Sequence, residues 1–321
     1  MALPKSTILC LHGYTQNSEV FRARIGSIRK ALKSRADFIF LNGPFPAKQL
    51  PGQSEAVQGG LSWWDWEIQS GGTPGRPAMA ALYRGWFETT APMLLSALRE
   101  HRPDGLLGFS QGATALAFLL AEVEFFSREG YWRWEASELR GGGGGREQEG
   151  EKEEATVTEK RALDREVLGK LRYAIMVAGF LPRDASFASF LSSQRPSLLN
   201  CLFVSGASDA LVPRSNTSTL LHCFCPDRTS SFTHAGSHLV PTCSGSFKSA
   251  LLRVMDPNVE GSGEGGAKDA IRAQSFRPFH IEGEGLEGKG VSLDPEILRE
   301  IERVEADAKG QSLEDGEGEV A

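Results

Sequence analysis

The segment at residues 106–120 constrains the fold of this chain more than any other. An apolar run, LLGF, leads into Ser110, and an alanine- and leucine-rich run follows it. This order predicts a buried strand, a sharp turn and a buried helix. Gly108 and Gly112 stand two residues on either side of the serine, where they let the two backbones approach closely. The pattern is typical of a nucleophile elbow, so Ser110 is a candidate nucleophile at the positive end of a helix.

Other short apolar runs indicate that the elbow strand belongs to a larger sheet. Such runs, each ending in a loop, occupy residues 6–11, 38–41, 173–180 and 201–206. Runs that are apolar throughout are typical of parallel strands buried on both faces. Amphipathic spacing predicts helices at residues 21–34, 77–101 and 244–255. We therefore expect one α/β domain over residues 1–255, with a mostly parallel central sheet and helices on both faces.

The composition favours a globular chain without a membrane span. Hydrophobic residues make up 40% of the chain, but no run reaches the roughly 18 apolar residues of a spanning helix. Residues 1–5 lack the long apolar segment of a signal peptide, so we expect a cytoplasmic protein. Five scattered cysteines, an odd number, indicate reduced thiols. His222, Cys223 and Cys225 have the wrong spacing and no fourth ligand for zinc, and we expect no metal and no cofactor.

Two segments lack the residues that build a core. The stretch at about residues 140–165 begins with consecutive glycines and continues mostly as Glu, Lys, Gln and Thr, which predicts a disordered insertion. Residues 256–321 are polar, acidic and glycine-rich, which predicts a mobile tail. The net charge of -6 comes from this tail, because residues 291–321 hold ten acidic and three basic residues. The rest of the chain is close to neutral, which argues against nucleic-acid binding.

Residues after the first strand are candidates to assist Ser110. His12, Gly13 and Tyr14 follow that strand directly. They form either an ordinary turn or an oxyanion loop, in which the backbone N–H groups of Tyr14 and Gln111 bind the negative oxygen of an acyl-transfer intermediate.

Later loops supply candidates for an acid and a base. Asp209 follows a buried strand and is either a helix N-cap or Asx turn, or the carboxylate that orients an imidazole. His234 and His238 lie in a turn-rich loop further along the chain, and either is a candidate base. Trp63 and Trp64 lie in a long irregular loop, where they either pack in the core or form the wall of an apolar acyl pocket.

Four blocks taken together resemble a known family. They read LHGY at residues 11–14, GFSQGA at residues 108–113, GASDALVP at residues 206–213 and HAGSHLVP at residues 234–241. The set resembles the fungal serine hydrolase family, which includes the ovarian-tumour-suppressor-candidate esterases, over residues 7–255 apart from the insertion. The resemblance implies the α/β-hydrolase fold. It also implies Ser110 as nucleophile, Asp209 as the orienting acid, and His238 rather than His234 as base.

Two further details come from this resemblance. A tryptophan pair, or a tryptophan followed by phenylalanine, recurs in the corresponding loop of the family, and Trp63 and Trp64 match it. The family usually has two glycines before the catalytic histidine, whereas Gly236 and Ser237 stand here. We expect some backbone strain at the serine.

These inferences predict a serine esterase that cleaves esters of apolar acyl groups through an acyl-enzyme. Its partner would be a small-molecule acyl ester or thioester. An acyl thioesterase uses the same three residues, so the sequence does not separate the two activities. A non-catalytic ligand receptor or scaffold on a hydrolase fold is the alternative from another class, and the joint presence of Ser110, Asp209 and His238 argues against it.

Overall fold

A computed structural model describes residues 5–48, 59–68, 81–135 and 147–256 of the chain. Its strands are β1 Ser6–Leu11, β2 Ala36–Leu41, β3 Phe45–Pro46, β4 Leu61–Ser62, β5 Asp65–Ile68, β6 Ala81–Arg84, β7 Gly105–Phe109, β8 Tyr173–Val177, β9 Asn200–Gly206 and β10 Thr229–His234. Its helices are α1 Ser18–Arg24, α2 Gly26–Ala31, α3 Ala91–His101, α4 Gln111–Glu129, α5 Glu147–Leu168, α6 Ala185–Gln194, α7 Arg214–His222 and α8 Gly245–Met255. Short helical turns occupy Trp86–Thr90, Arg133–Glu135 and Pro226–Arg228.

Six strands form one parallel sheet in the order β10-β9-β8-β7-β1-β2. The elbow strand β7 is buried at every position and lies between β8 and β1. Because all six strands run the same way, the loops after β1, β7, β9 and β10 emerge at the same edge of the sheet. The strands β3–β4 and β5–β6 form two small antiparallel pairs outside it.

The central strands separate two hydrophobic cores. In β1, Ile8 and Cys10 belong to the core beneath α1, α2 and α8, whereas Leu9 and Leu11 belong to the core beneath α3 to α7. This alternation follows from the two-residue period of a strand. The sequence-based prediction of a mostly parallel sheet with helices on both faces is confirmed.

The segment expected to be disordered contains a long helix. α5 spans Glu147–Leu168, so the prediction of disorder is wrong from Glu147 onward, while residues 140–146 lie outside the described residues. Asp164 anchors the helix: its carboxylate is 1% exposed and accepts hydrogen bonds from Arg99 Nε at 2.6 Å and Trp132 Nε1 at 2.8 Å. Apolar packing is confined to the C-terminal part of the helix, where Val167 is buried in the core and Leu163 and Leu168 pack against it. The sequence therefore lacks the wide apolar stripe by which a helix is usually recognised.

Two other predictions concern the helix expected at residues 77–101 and the tail expected after residue 255. Of the helix expected at residues 77–101, residues 77–80 lie outside the described residues. The rest forms β6, a helical turn that begins after Gly85 with its φ of 77°, and then α3 from Ala91. The expected tail lies outside the described residues after Asp256. In the ranges that the structure does describe, no helix is both long enough and apolar enough to cross a membrane.

Candidate active site

Ser110 occupies a strained turn between β7 and α4. Its φ of 53° and ψ of -120° are sparsely populated by any residue other than glycine. The two flanking glycines allow this turn: a Cβ at Gly108 would lie 2.5 Å from the Gly112 carbonyl oxygen, and one at Gly112 would lie 2.4 Å from the Leu11 and His12 carbonyl oxygens. The side chain of Ser110 is therefore presented at the sheet edge by a turn that only this glycine spacing permits.

A chain of two contacts joins Ser110 to an imidazole and a carboxylate. His238 Nε2 lies 3.0 Å from Ser110 Oγ, and His238 Nδ1 lies 2.8 Å from Asp209 Oδ2. A carboxylate only accepts, so the neutral imidazole carries its proton on Nδ1 and leaves Nε2 to accept from the serine hydroxyl. Serine nucleophiles are activated by this arrangement.

The Asp209 carboxylate is buried and fully bonded. Its side chain is 1% exposed, and Oδ1 accepts from the backbone N–H groups of Leu211 at 3.0 Å and Val212 at 2.9 Å. The residue thus forms an Asx turn and also contacts the imidazole, and its role as the orienting acid stays a prediction. The turn fixes Oδ2 toward His238.

His234 has a different place from His238. It ends β10, and its Nδ1 accepts the backbone N–H of Gly236 at 3.1 Å. Burial lowers the pKa of His234, and the nearby Asp209 carboxylate partly opposes that shift. The contact with Ser110 is made by His238, four residues later, so His234 shapes the turn that carries it.

The serine that replaces a family glycine sits without backbone strain. Ser237 is not among the residues with positive φ, so its backbone adopts a conformation open to any L-residue. The strain that we expected at this serine is absent. Its carbonyl oxygen accepts the N–H of Leu239 at 2.8 Å.

Two backbone N–H groups in the segments next to the serine lack an acceptor among the described residues. Neither Tyr14 N nor Gln111 N has a hydrogen-bond acceptor among the described residues. Gln111 is the first residue of α4, where N–H groups are left free by the helix. The loop of Tyr14 adjoins the serine closely, since a Cβ at Gly13 would lie 3.3 Å from Ser110 Cβ.

The predicted pocket tryptophans are both buried. Trp63 is 0% exposed and its indole N–H donates to the His12 carbonyl oxygen at 2.7 Å. Trp64 is 2% exposed and stacks on Tyr83 with ring centroids 4.7 Å apart. The side chain of Gln111 holds this loop, because its Oε1 accepts from the backbone N–H of Trp63 at 3.1 Å.

Sequence reasoning missed two exposed apolar side chains that are close in sequence to Asp209 and His238. Leu211, two residues after Asp209, is 77% exposed, and Leu239, directly after His238, is 39% exposed. Their positions were visible in the chain, but their exposure depends on how the two loops fold. Within the described ranges, no group of three or more His, Cys, Asp or Glu side chains is placed to hold a metal ion.

Comparison with known proteins identifies the family of this chain. The model of the family described as Serine hydrolase (FSH1) matches residues 1–249. The chain belongs to this serine hydrolase family. Esterase OVCA2 of Homo sapiens is 28% identical over 263 residues, which cover 79% of this chain and 96% of the relative. Esterase C25G4.2 of Caenorhabditis elegans is 28% identical over 242 residues, which cover 75% of this chain and 89% of the relative.

Solved structures include more distant likenesses. The crystal structure of esterase PE8 is 17% identical and has a TM-score of 0.46, covering 78% of this chain and 92% of its own. The family of the chain is shown by the family model. The order of the parallel strands around the elbow is that of the α/β-hydrolase fold. Membership in the family supports a hydrolase activity.

Proposed function

We propose that this protein is a carboxylesterase that cleaves esters of apolar acyl groups through an acyl-enzyme on Ser110. The observation that carries the proposal is the unbroken chain from Ser110 Oγ to His238 to Asp209, with contacts of 3.0 and 2.8 Å. Burial of the carboxylate and free access of Nε2 to the hydroxyl are the conditions under which such a chain activates a serine.

The first half of the reaction forms the acyl-enzyme. His238 Nε2 takes the hydroxyl proton as Ser110 Oγ attacks the acyl carbonyl carbon, and Asp209 stabilises the imidazolium that results. The carbonyl oxygen becomes negative and accepts hydrogen bonds from the N–H groups of Tyr14 and Gln111. The intermediate then expels the alcohol, which takes the proton from His238.

The second half repeats these steps with water. His238 removes a proton from a water molecule that attacks the acyl carbon on Ser110, and the same two N–H groups hold the second negative oxygen. Collapse releases the carboxylic acid and returns the proton to Ser110 Oγ. With the ester and one water molecule as reactants, the electron pairs and protons of the two halves balance.

Apolar surface near the triad favours an apolar substrate. Leu211 and Leu239 are exposed beside Asp209 and His238, where they would contact an apolar acyl or alcohol group. We assign Trp64 to the support of the acyl-site wall from the core side, since its ring is 2% exposed and packs with Phe118 of α4 at a centroid distance of 5.6 Å. Trp63 would support the same wall from the side of the oxyanion loop.

Substitution of the three residues tests the mechanism. We expect Ser110→Ala and His238→Ala each to lower kcat for p-nitrophenyl esters by about 10⁵- to 10⁶-fold, and Asp209→Asn by about 10⁴-fold. Asp209→Asn lowers kcat less because the nucleophile and the base both remain, and only the tautomer and charge stabilisation of the imidazole are lost. The measurement is steady-state hydrolysis of short- to long-chain esters, in parallel with thioesters of the same acyl groups.

Two variants serve as matched controls for this series. Ser249→Ala removes an exposed hydroxyl on α8, and His101→Ala removes an imidazole at the end of α3, so both are expected to stay within about twofold of the wild type. Activity of Ser110→Ala close to the wild-type value would refute the mechanism. A higher kcat/KM for thioesters than for matched esters would make the protein a thioesterase with the same triad.

A further inference from the structure

His12 is a fully buried imidazole that the proposed mechanism does not use. It is 0% exposed. Its Nδ1 lies 2.8 Å from the Gly13 carbonyl oxygen, and its Nε2 accepts the backbone N–H of Gly43 at 2.9 Å. A carbonyl oxygen only accepts, so the ring carries its proton on Nδ1 and is neutral. Burial lowers the pKa of His12 to about 4, which keeps this form at physiological pH.

The bond from His12 acts on the peptide unit that contains the Tyr14 N–H. The Gly13 carbonyl and the Tyr14 N–H belong to the same peptide, and a trans peptide is planar with the two groups pointing in opposite directions. The described backbone contains no cis peptide bond. Holding the carbonyl toward His12 therefore turns the N–H away from His12, and this N–H has no protein acceptor among the described residues.

The imidazole is itself held from three sides. The backbone N–H of Gly43, in the turn after β2, donates to Nε2 although Gly43 lies 31 positions further along the chain. The Trp63 ring lies against the imidazole with centroids 4.9 Å apart, and its N–H donates to the His12 carbonyl oxygen. The ring cannot turn without breaking two hydrogen bonds, so it offers the Gly13 carbonyl a rigid donor. The Gln16 N–H, at 3.1 Å, is the second donor to the same carbonyl.

We propose that His12 is a positioning residue that orients the Tyr14 N–H toward the oxyanion by bonding the Gly13 carbonyl. The inference rests on the proposed function, because it needs an oxyanion to be formed at Ser110. The two nitrogen atoms of the ring have different roles. Nδ1 orients the Gly13–Tyr14 peptide, and Nε2 anchors the ring to the turn at Gly43.

Two variants separate the roles of the two nitrogen atoms. His12→Asn places an amide N–H at the position of Nδ1 and keeps the donor to the Gly13 carbonyl, but it is too short to accept from Gly43. His12→Gln reaches toward Gly43 with its amide oxygen and loses the donor to Gly13. A role limited to anchoring the Gly43 turn would favour the glutamine variant, whereas the proposal favours the asparagine variant.

The experiment measures kcat, KM and inhibition by a trifluoromethyl ketone in the full chain. The adduct of this inhibitor with serine carries an oxyanion, so its affinity reports the oxyanion donors directly. We expect His12→Asn to keep kcat within about threefold of the wild type. We expect His12→Gln to lose about 10- to 100-fold in both kcat and inhibitor affinity with KM little changed, somewhat less than the loss of a whole oxyanion donor.

Each other outcome decides against the proposal or against its premise. Equal activity of the two variants, or a more active glutamine variant, would overturn the role of Nδ1. If His12→Gln does not fold, as judged by tryptophan fluorescence, a loss of more than tenfold in folded His12→Asn would overturn it alone. Ser110→Ala is measured beside them: a fully active Ser110→Ala would mean that the proposed function fails, whatever His12 does.

Discussion

Ser110 shows how much of the site is determined by single residues. Its positive φ costs about 1–3 kcal/mol, and the glycines at positions 108 and 112 are what the turn requires, so the sequence predicts the elbow. The role of His12 could not be predicted in this way. Its ring is bonded to a glycine 31 positions away, and no pattern in the LHGY block reveals that partner.

A prediction at this scale concerns the serine where the family usually has glycine. Because Ser237 has no positive φ, we expect Ser237→Gly to leave kcat within about twofold. We expect it to lower the free energy of unfolding by about 0.4–1 kcal/mol, since glycine increases the freedom of the unfolded chain. Steady-state kinetics and urea unfolding measure both quantities.

A substitution at the neighbouring glycine is the matched comparison. A Cβ at Gly236 would lie 3.0 Å from His234 Nδ1, so we expect Gly236→Ala to reduce both stability and kcat by displacing the turn before His238. If Ser237→Gly instead raised the stability and kcat, the serine would be strained and the local geometry described for it would be incorrect.

At the scale of elements, the strands were predicted more reliably than the helices of the periphery. β1 was predicted with its observed bounds, because an apolar run that ends in a turn has few alternatives. β10 was not recognised as a strand, since it is an edge strand with no fully buried position. The helix α5 was mistaken for disorder because Glu and Lys dominate it and its main buried polar contact, through Asp164, is with residues distant in sequence.

A prediction at the scale of elements concerns the anchoring of α5 through Asp164. Asp164→Ala leaves Arg99 and the Trp132 N–H without their acceptor, so we expect unfolding to become easier by about 2–4 kcal/mol. This lies toward the low end for buried pairs, because Arg99 is 30% exposed. We also expect faster hydrogen exchange in residues 157–168, with kcat unchanged because Asp164 contacts no residue of the candidate active site.

An exposed ion pair on the same helix provides the control. Glu166 bonds Arg102, but the two side chains are 56% and 41% exposed, so Glu166→Ala should cost less than about 1 kcal/mol. Equal effects of the two substitutions, or unchanged exchange in Asp164→Ala, would show that α5 is not anchored through Asp164.

At the scale of the whole molecule, the sheet brings together residues that are far apart in sequence. Ser110 follows β7, Asp209 follows β9 and His238 follows β10, and parallel strands deliver all three to one edge. The order of these residues and the family resemblance sufficed to predict which would meet. The distances, the free N–H groups and the burial of Trp63 required the folded structure, because they depend on loops with no regular pattern.

One measurement tests the central claim, that Ser110 is an activated nucleophile in the folded protein. The native wild type is treated with a fluorophosphonate, and the modified residue is located by peptide mass spectrometry, beside Ser110→Ala and the urea-unfolded wild type. We predict one adduct, on Ser110 of the native protein, and none in the other two samples. A native wild type that stays unlabelled, or carries its adduct on another residue, would contradict the account.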